Sequence, residues 1–156
     1  MGEFNAAHAS VPEDADKEEQ MFFAEDAIAL IKPDAAENAE DIIAHLETCG
    51  FTVRETRDVE LSSEIASKIY AGKAGEAFFD ELVDHMTSGS CKVLVLSEID
   101  AVEKLRNTMG DPDPEKAKNE NPNSIRAKLA SSIIANAIHA PTEEEDIQLH
   151  FQLLLN

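Results

Sequence analysis

Apolar residues recur along this chain in two rhythms, one of about two residues and one of three to four. Ala27 to Lys32 (AIALIK) is a short apolar run flanked by charge and stopped by Pro33, which predicts a buried strand. From Glu40 to Cys49, Ile42, Ile43 and Leu46 share one face and Gly50 follows, which predicts an amphipathic helix. Phe51 to Leu61 alternates through Val53 and Val59, as a half-buried strand does. Ser62 is a good N-cap for a helix carrying Ile65, Ile69 and Tyr70. Ala77 to Met86 sets Phe78, Phe79, Leu82, Val83 and Met86 at helical spacing before Ser88-Gly89, and Lys92 to Leu96 (KVLVL) reads as another strand. Asp100 caps a helix through Val102, Leu105 and Met109, which Gly110 ends. Asp111 to Asn123 is too long and too polar for a plain connector and reads as a functional or mobile loop. Ser124 to Leu129 makes one helical turn and Ile133 to His139 a strand end. Thr142 caps a last helix with Ile147, Leu149 and Phe151 to Leu154 facing inward.

The order strand, helix, strand, helices, strand, helix, loop, strand, helix is that of a split βαβ unit used twice. It predicts an α+β fold, a ferredoxin-like antiparallel four-stranded sheet covered by helices. Residues 1–20 are acidic, Ala-rich and aperiodic, and read as a disordered leader before a domain over 21–156. Met21-Phe22-Phe23 is expected to pack back on that domain. No internal repeat suggests a solenoid.

Composition narrows the function. The 156 residues suit one ordinary domain, and a 43% hydrophobic content is enough for a core. No run approaches a membrane span and no secretory signal opens the chain, so a cytoplasmic protein is expected. The formal net charge of -19 disfavours nucleic acid and anionic lipid as partners. An anionic ligand would need a local basic pocket and a divalent cation to screen it. Cys49 and Cys91 make neither a disulfide framework nor a metal set, and read as reduced structural thiols.

A handful of residues could do chemistry. His139, at a strand end before a turn, could attack phosphorus with a neutral imidazole nitrogen. Lys32 could pair a phosphate as a point charge, and Arg106 and Arg126 could grip phosphate oxygens with planar forks. Tyr70 could donate to a phosphoryl oxygen, Phe78 could stack on a base, and Asn136 could bond a sugar hydroxyl. Taken singly, each has a plainer reading. His139 could be a satisfied edge histidine, Lys32 a solvated lysine, the arginines surface ion-pair partners and Tyr70 a core residue. His8, His45, His85 and His150 form no metal-ligand spacing and read as structural or solvated.

Taken together, these pieces resemble the nucleoside diphosphate kinase family. Lys32-Pro33-Asp34, Gly50-Phe51, Tyr70, Phe78-Phe79, Met86-Thr87-Ser88-Gly89, Arg106 to Pro114, Ser124-Ile125-Arg126 and Asn136 to His139 match the family's elements in order, over about residues 26–153. The resemblance implies ping-pong transfer of a phosphoryl group between nucleoside tri- and diphosphates, with Mg2+ carried on the nucleotide. In that scheme His139 is the nucleophile, and Lys32, Tyr70, Arg106 and Arg126 stabilise phosphate charge. Asn136 contacts the ribose or Lys32, and Phe78 stacks on the base beside Leu82. The carboxylate that orients the histidine would be Asp146, where the family usually has glutamate.

The chain also departs from the family. Ala140-Pro141-Thr142 replaces the usual Gly-Ser-Asp, and Pro112 stands where a phosphate-binding threonine is usual. The loop after Lys32 is shortened, as in members found in cilia and flagella. Two readings follow: a kinase of low or altered activity, or a nucleotide-binding or scaffold domain of a ciliary or axonemal protein. A third, an unrelated ferredoxin-like regulatory domain, would have no nucleotide affinity. Family members are commonly hexamers built from dimers; with the chain ending at Asn156, a dimer is expected here.

Overall fold

The computed structural model describes residues 25–155. The leader expected over 1–20 and the Met21-Phe22-Phe23 packing lie outside them. Strands β1 (Glu25–Ile31), β2 (Thr52–Val59), β3 (Cys91–Glu98) and β4 (Ile138–His139) form one sheet in the order β2-β3-β1-β4. Every neighbouring pair is antiparallel, with Ala29 opposite Leu94 and Leu30 opposite His139. The helices are α1 (Ala39–Thr48), α2 (Ser63–Ile69), α3 (Phe79–Met86), α4 (Ala101–Met109), α5 (Pro114–Glu120), α6 (Ile125–Leu129) and α7 (Glu144–Leu155). This is the expected α+β, ferredoxin-like arrangement.

The central strands explain their own sequences. Side chains of a strand alternate between faces, and β1 is covered on both. Ala27, Ala29 and Ile31 join a core with Ile42, Leu46, Leu105 and Met109, on one side of the sheet. Ile28 and Leu30 join another with Ile69, Leu82, Met86 and Leu154. Both faces need apolar side chains, so β1 and β3 read as continuous apolar runs. Burying each Leu or Ile contributes about 1.5–3 kcal/mol.

Several elements differ from expectation, each for a physical reason. β2 is an edge strand and is exposed along most of its length, with a register shift between Val53 and Glu55. Its apolar residues that bury fully, Phe51 and Leu61, lie just beyond its ends. Charge and irregularity along such an edge discourage mispairing with other chains. The stretch expected as a loop contains α5. Asp113 caps α5 by accepting from the Glu115 amide, and Pro114 supplies the fixed φ of a first helical turn. Ser62 caps α2 as expected, accepting from the Ile65 amide at 3.2 Å. Asp100 does not cap α4. Its backbone is left-handed at φ 54, and Glu25 reaches across to accept from the Val102 amide at 3.0 Å. Only Ile138 and His139 of the stretch 133–139 pair as a strand. In α7 the fully buried residues are His150 and Leu154, while Leu149 and Phe151 are half-buried.

Candidate active site

The segment leading into His139 is held by side chains from the turn after β1. Asn136 donates to the carbonyls of Pro112 and Ile133, both at 3.1 Å, and accepts from Lys32 Nζ at 2.9 Å. Ala137 is left-handed at φ 78, a conformation that costs a residue with a Cβ about 1–3 kcal/mol. Its amide donates to Asp34 Oδ2 at 3.0 Å, and its carbonyl accepts from the Lys32 amide at 2.8 Å. The other oxygen of Asp34 lies 2.8 Å from His85 Nε2 of α3. Lys32 and Asp34 of Lys-Pro-Asp therefore fix the backbone that presents His139.

A cleft of about 1060 Å³ opens beside this segment, and every residue proposed from the sequence lines it. Lys32 is 2% exposed, and its Nζ donates to the Ile134 carbonyl at 2.6 Å. Burial lowers its pKa to about 8, with Arg126 adding to the effect and Asp34 opposing it. Arg126 is buried. It donates from Nη1 to the Gly110 carbonyl at 2.9 Å and from Nη2 to the Ile138 carbonyl at 2.6 Å. Its Nε is buried with no partner among the described residues. Burial lowers its pKa to about 10, so it stays cationic at neutral pH. Arg106 is exposed on α4 and contributes to the cleft wall.

The Lys32 shift carries a testable sign. A bound phosphate favours the ammonium, and above pH 8 the free protein holds mostly the neutral amine. Calorimetric titration with ADP should show binding about tenfold weaker at pH 9 than at pH 7. Lys32→Met should bind weakly with little of that dependence. A flat wild-type profile across this range would remove Lys32 from the phosphate site.

Tyr70 is placed differently from the expected phosphate donor. It is buried at the C-terminus of α2, and its hydroxyl lies 3.6 Å from Met86 Sδ as donor. Burial raises its pKa strongly, so the phenol remains protonated. Its ring lies 4.6 Å from that of His139, tilted by 49°, and forms a wall for the imidazole. Phe78 and Leu82, at the start of α3, give the cleft an apolar side. Two residues missed in the sequence also line it, Ile133 at 49% exposure and Lys73 in the turn after Tyr70.

His139 sits between rings. Its Nε2 is 2.9 Å from Nε2 of His150, with the rings near-parallel at 21° and 5.0 Å between centroids. His150 Nδ1 lies 2.6 Å from the carbonyl oxygen of Asp146. The expected contact from the Asp146 carboxylate to His139 is not formed; Asp146 is exposed and meets the pair through its backbone. Burial holds the His139 pKa well below 6.5, and His150, Lys32, Arg126 and Lys73 add to that. A neutral imidazole keeps a free lone pair, the form in which a histidine can act as a nucleophile.

The sequence profile of the family described as nucleoside diphosphate kinase matches residues 25–156. The chain belongs to the nucleoside diphosphate kinase family. It is 42% identical over 121 residues to a nucleoside diphosphate kinase of Campylobacter hominis, covering 76% of this chain and 86% of that one. It is 47% identical over 148 residues to a thioredoxin domain-containing protein 3 homolog of Ciona intestinalis. That match covers 94% of this chain but only 23% of the relative. A homolog in Heliocidaris crassispina is 41% identical, with 18% of its length covered. The chain thus spans about a quarter or less of these two longer relatives. The crystal structure of the Aquifex aeolicus nucleoside diphosphate kinase superposes with a TM-score of 0.80 at 31% identity, covering 85% of this chain and 96% of that one.

Two departures from the family pattern have structural consequences. Pro112, at the usual threonine, supplies its carbonyl to Asn136 and no hydroxyl to the cleft. Pro141 lines the cleft where a serine is usual, again without a donor.

Proposed function

We propose that the domain over 21–156 moves a phosphoryl group from a nucleoside triphosphate to a nucleoside diphosphate through a phosphohistidine on His139. The supporting observation is the meeting, in one cleft, of a neutral His139 with Lys32, Arg106 and Arg126 and an apolar wall of Phe78, Leu82 and Ile133. The imidazole lone pair attacks the γ-phosphorus, the bond to the β-phosphate oxygen breaks, and the diphosphate leaves with that electron pair. A second diphosphate then reverses the step. Lys32 and Arg126 neutralise charge on the phosphates by their positive charge beside the cleft. Asn136 holds Lys32 in place. Base and apolar wall meet by stacking and contact, which tolerates different bases.

Magnesium enters coordinated to the phosphates. Among the described residues no group of three or more His, Cys, Asp or Glu side chains is placed to hold a metal ion. Losing one hydroxyl donor costs on the order of a hundredfold in rate, and two are missing, at Pro112 and Pro141. The proposed activity is therefore slow. As in the family, the domain would work as a homo-oligomer, a dimer or hexamer, in the cytoplasm. Among the described residues no helix is long and apolar enough to cross a membrane.

A second reading is favoured by the missing hydroxyls and by the longer thioredoxin domain-containing relatives. In it the domain is a nucleotide-binding or scaffold module of a ciliary or axonemal protein. Incubation with radiolabelled ATP and magnesium separates the two. Acid-labile label on the protein, chased off by GDP, supports transfer. Saturable ADP binding without label supports the module.

A further inference from the structure

The imidazole of His139 in the cleft and that of His150 behind it form a chain whose direction is fixed from one end. We infer that His150, and not the Asp146 carboxylate, is the positioning residue that sets the tautomer of His139, leaving Nδ1 as the attacking nitrogen. We infer also that a proton taken up by this pair switches the nucleophile off. The catalytic part rests on the phosphoryl-transfer reading above; the tautomer does not.

A carbonyl oxygen only accepts, so His150 Nδ1, 2.6 Å from the Asp146 carbonyl, carries hydrogen and donates it. A neutral ring then has its lone pair on Nε2. That nitrogen lies 2.9 Å from His139 Nε2, and two bare nitrogens at that distance would repel. His139 Nε2 therefore carries hydrogen and donates it to His150. The lone pair of His139 remains on Nδ1, which has no hydrogen-bond partner among the described residues. The ring is also held edge to edge with His150, the two planes inclined by 21°, and is walled by Tyr70 at 4.6 Å.

The surroundings keep the chain neutral. Lys32, Arg126 and Lys73 face His139 electrostatically from three elements. Asp146 is the acidic group acting on His150 from its own helix. On α2, which packs against α7, Glu64 and Lys68 lie 3.4 Å apart as an ion pair in solvent. On β1, also packed against α7, Glu25 accepts from the Val102 amide and Asp26 pairs with Arg54. Burial lowers the pKa of both histidines below the usual 6.5.

The proton balance follows. When Nδ1 bonds phosphorus, the ring becomes cationic and its Nε2 hydrogen stays bonded to the His150 lone pair, so no proton need leave the pair. When acid protonates His150 at Nε2, both its nitrogens donate. His139 must then present a bare Nε2 and carry its hydrogen on Nδ1, which blocks attack. Phosphoryl uptake should therefore fall with a single ionisation on the acid side of pH 6.5, belonging to the pair.

Histidine side-chain nitrogen–proton NMR on the full chain without nucleotide tests the tautomer directly. At pH 7.5 we expect hydrogen on Nε2 of His139 and on Nδ1 of His150. His150→Phe should abolish the preference at His139 and slow labelling from ATP by about a hundredfold or more, a wrong tautomer being inactive. Its ADP dissociation constant should stay within about threefold of wild type, which also verifies folding. His150→Gln places an amide oxygen near the lost Nε2, so labelling should fall less than about tenfold and the acid limb should move to lower pH. Hydrogen on Nδ1 of His139, wild-type labelling in His150→Phe, or an unmoved acid limb in His150→Gln would each overturn the inference. A wild-type chain that takes no label at any pH would defeat the transfer reading instead, and the NMR result would still decide the tautomer.

Discussion

A chain carrying His139→Gln is expected to take no acid-labile phosphoryl group from ATP while still binding ADP. The reason is positional. His139 is the imidazole that lines the cleft beside Lys32 and Arg126, whereas His150 lies behind it and is 3% exposed. Glutamine offers an amide, which is no nucleophile. Turnover should fall at least about a thousandfold, as it does when an enzyme loses its attacking group. Binding should change far less. One neutral hydrogen bond is worth about 0.5–1.5 kcal/mol net, so the ADP dissociation constant should move by no more than about tenfold. Labelling that survives in the variant would place the nucleophile elsewhere. Failure of both proteins to bind ADP would remove the nucleotide from the cleft.

The second large effect is structural and lies at Gly110. Its φ of 86 and ψ of 177 define a region that is essentially glycine's alone. A Cβ there would stand 2.3 Å from Ser124 Oγ and 2.7 Å from Ser124 Cβ. Ser124 caps α6 by accepting from the Ala127 amide at 3.2 Å, and α6 carries Arg126. Gly110→Ala therefore adds strain of about 1–3 kcal/mol and disturbs a cap worth about 0.5–2 kcal/mol. We expect a loss of about 3 kcal/mol or more in urea denaturation, and a Tm lower by on the order of ten degrees. ADP affinity should fall as well, because the Gly110 carbonyl orients Arg126. Gly72→Ala is the control. No atom lies within 4 Å of a Cβ there, and the expected change is within about 0.5 kcal/mol. If both substitutions cost the same, the close approach at Gly110 carries no energetic weight.

What could be read from the sequence depended on how each residue announces itself. β1 and β3 were legible because burial on two faces demands unbroken apolar runs. The candidate residues were proposed as a set through the family pattern, and all of them line one cleft. α5 was hidden because its buried face is one small residue, Ala117, so no apolar stripe marks it. Asp113-Pro114 was the available signal, a capping residue before a first-turn proline. β2 misled because alternation reports which face is apolar, not whether anything covers it. His150 was hidden for a different reason. Ile147, His150, Phe151 and Leu154 follow one helical stripe, which marks the position as inward. Nothing along the chain says that a second imidazole waits there. The Asp146 side chain is one methylene shorter than the usual glutamate and remains in solvent, while its carbonyl holds His150.

The left-handed Ala137 has a consequence beyond its own cost. Its backbone would unwind if released, and the carboxylate of Asp34 is a catch that prevents it. That catch is shared with His85, on the far side of the turn. The aim of the imidazole two residues on is thus tensioned from a helix that also forms the cleft's apolar wall. The imidazole end and the apolar end of this pocket are joined by one short, cocked piece of main chain.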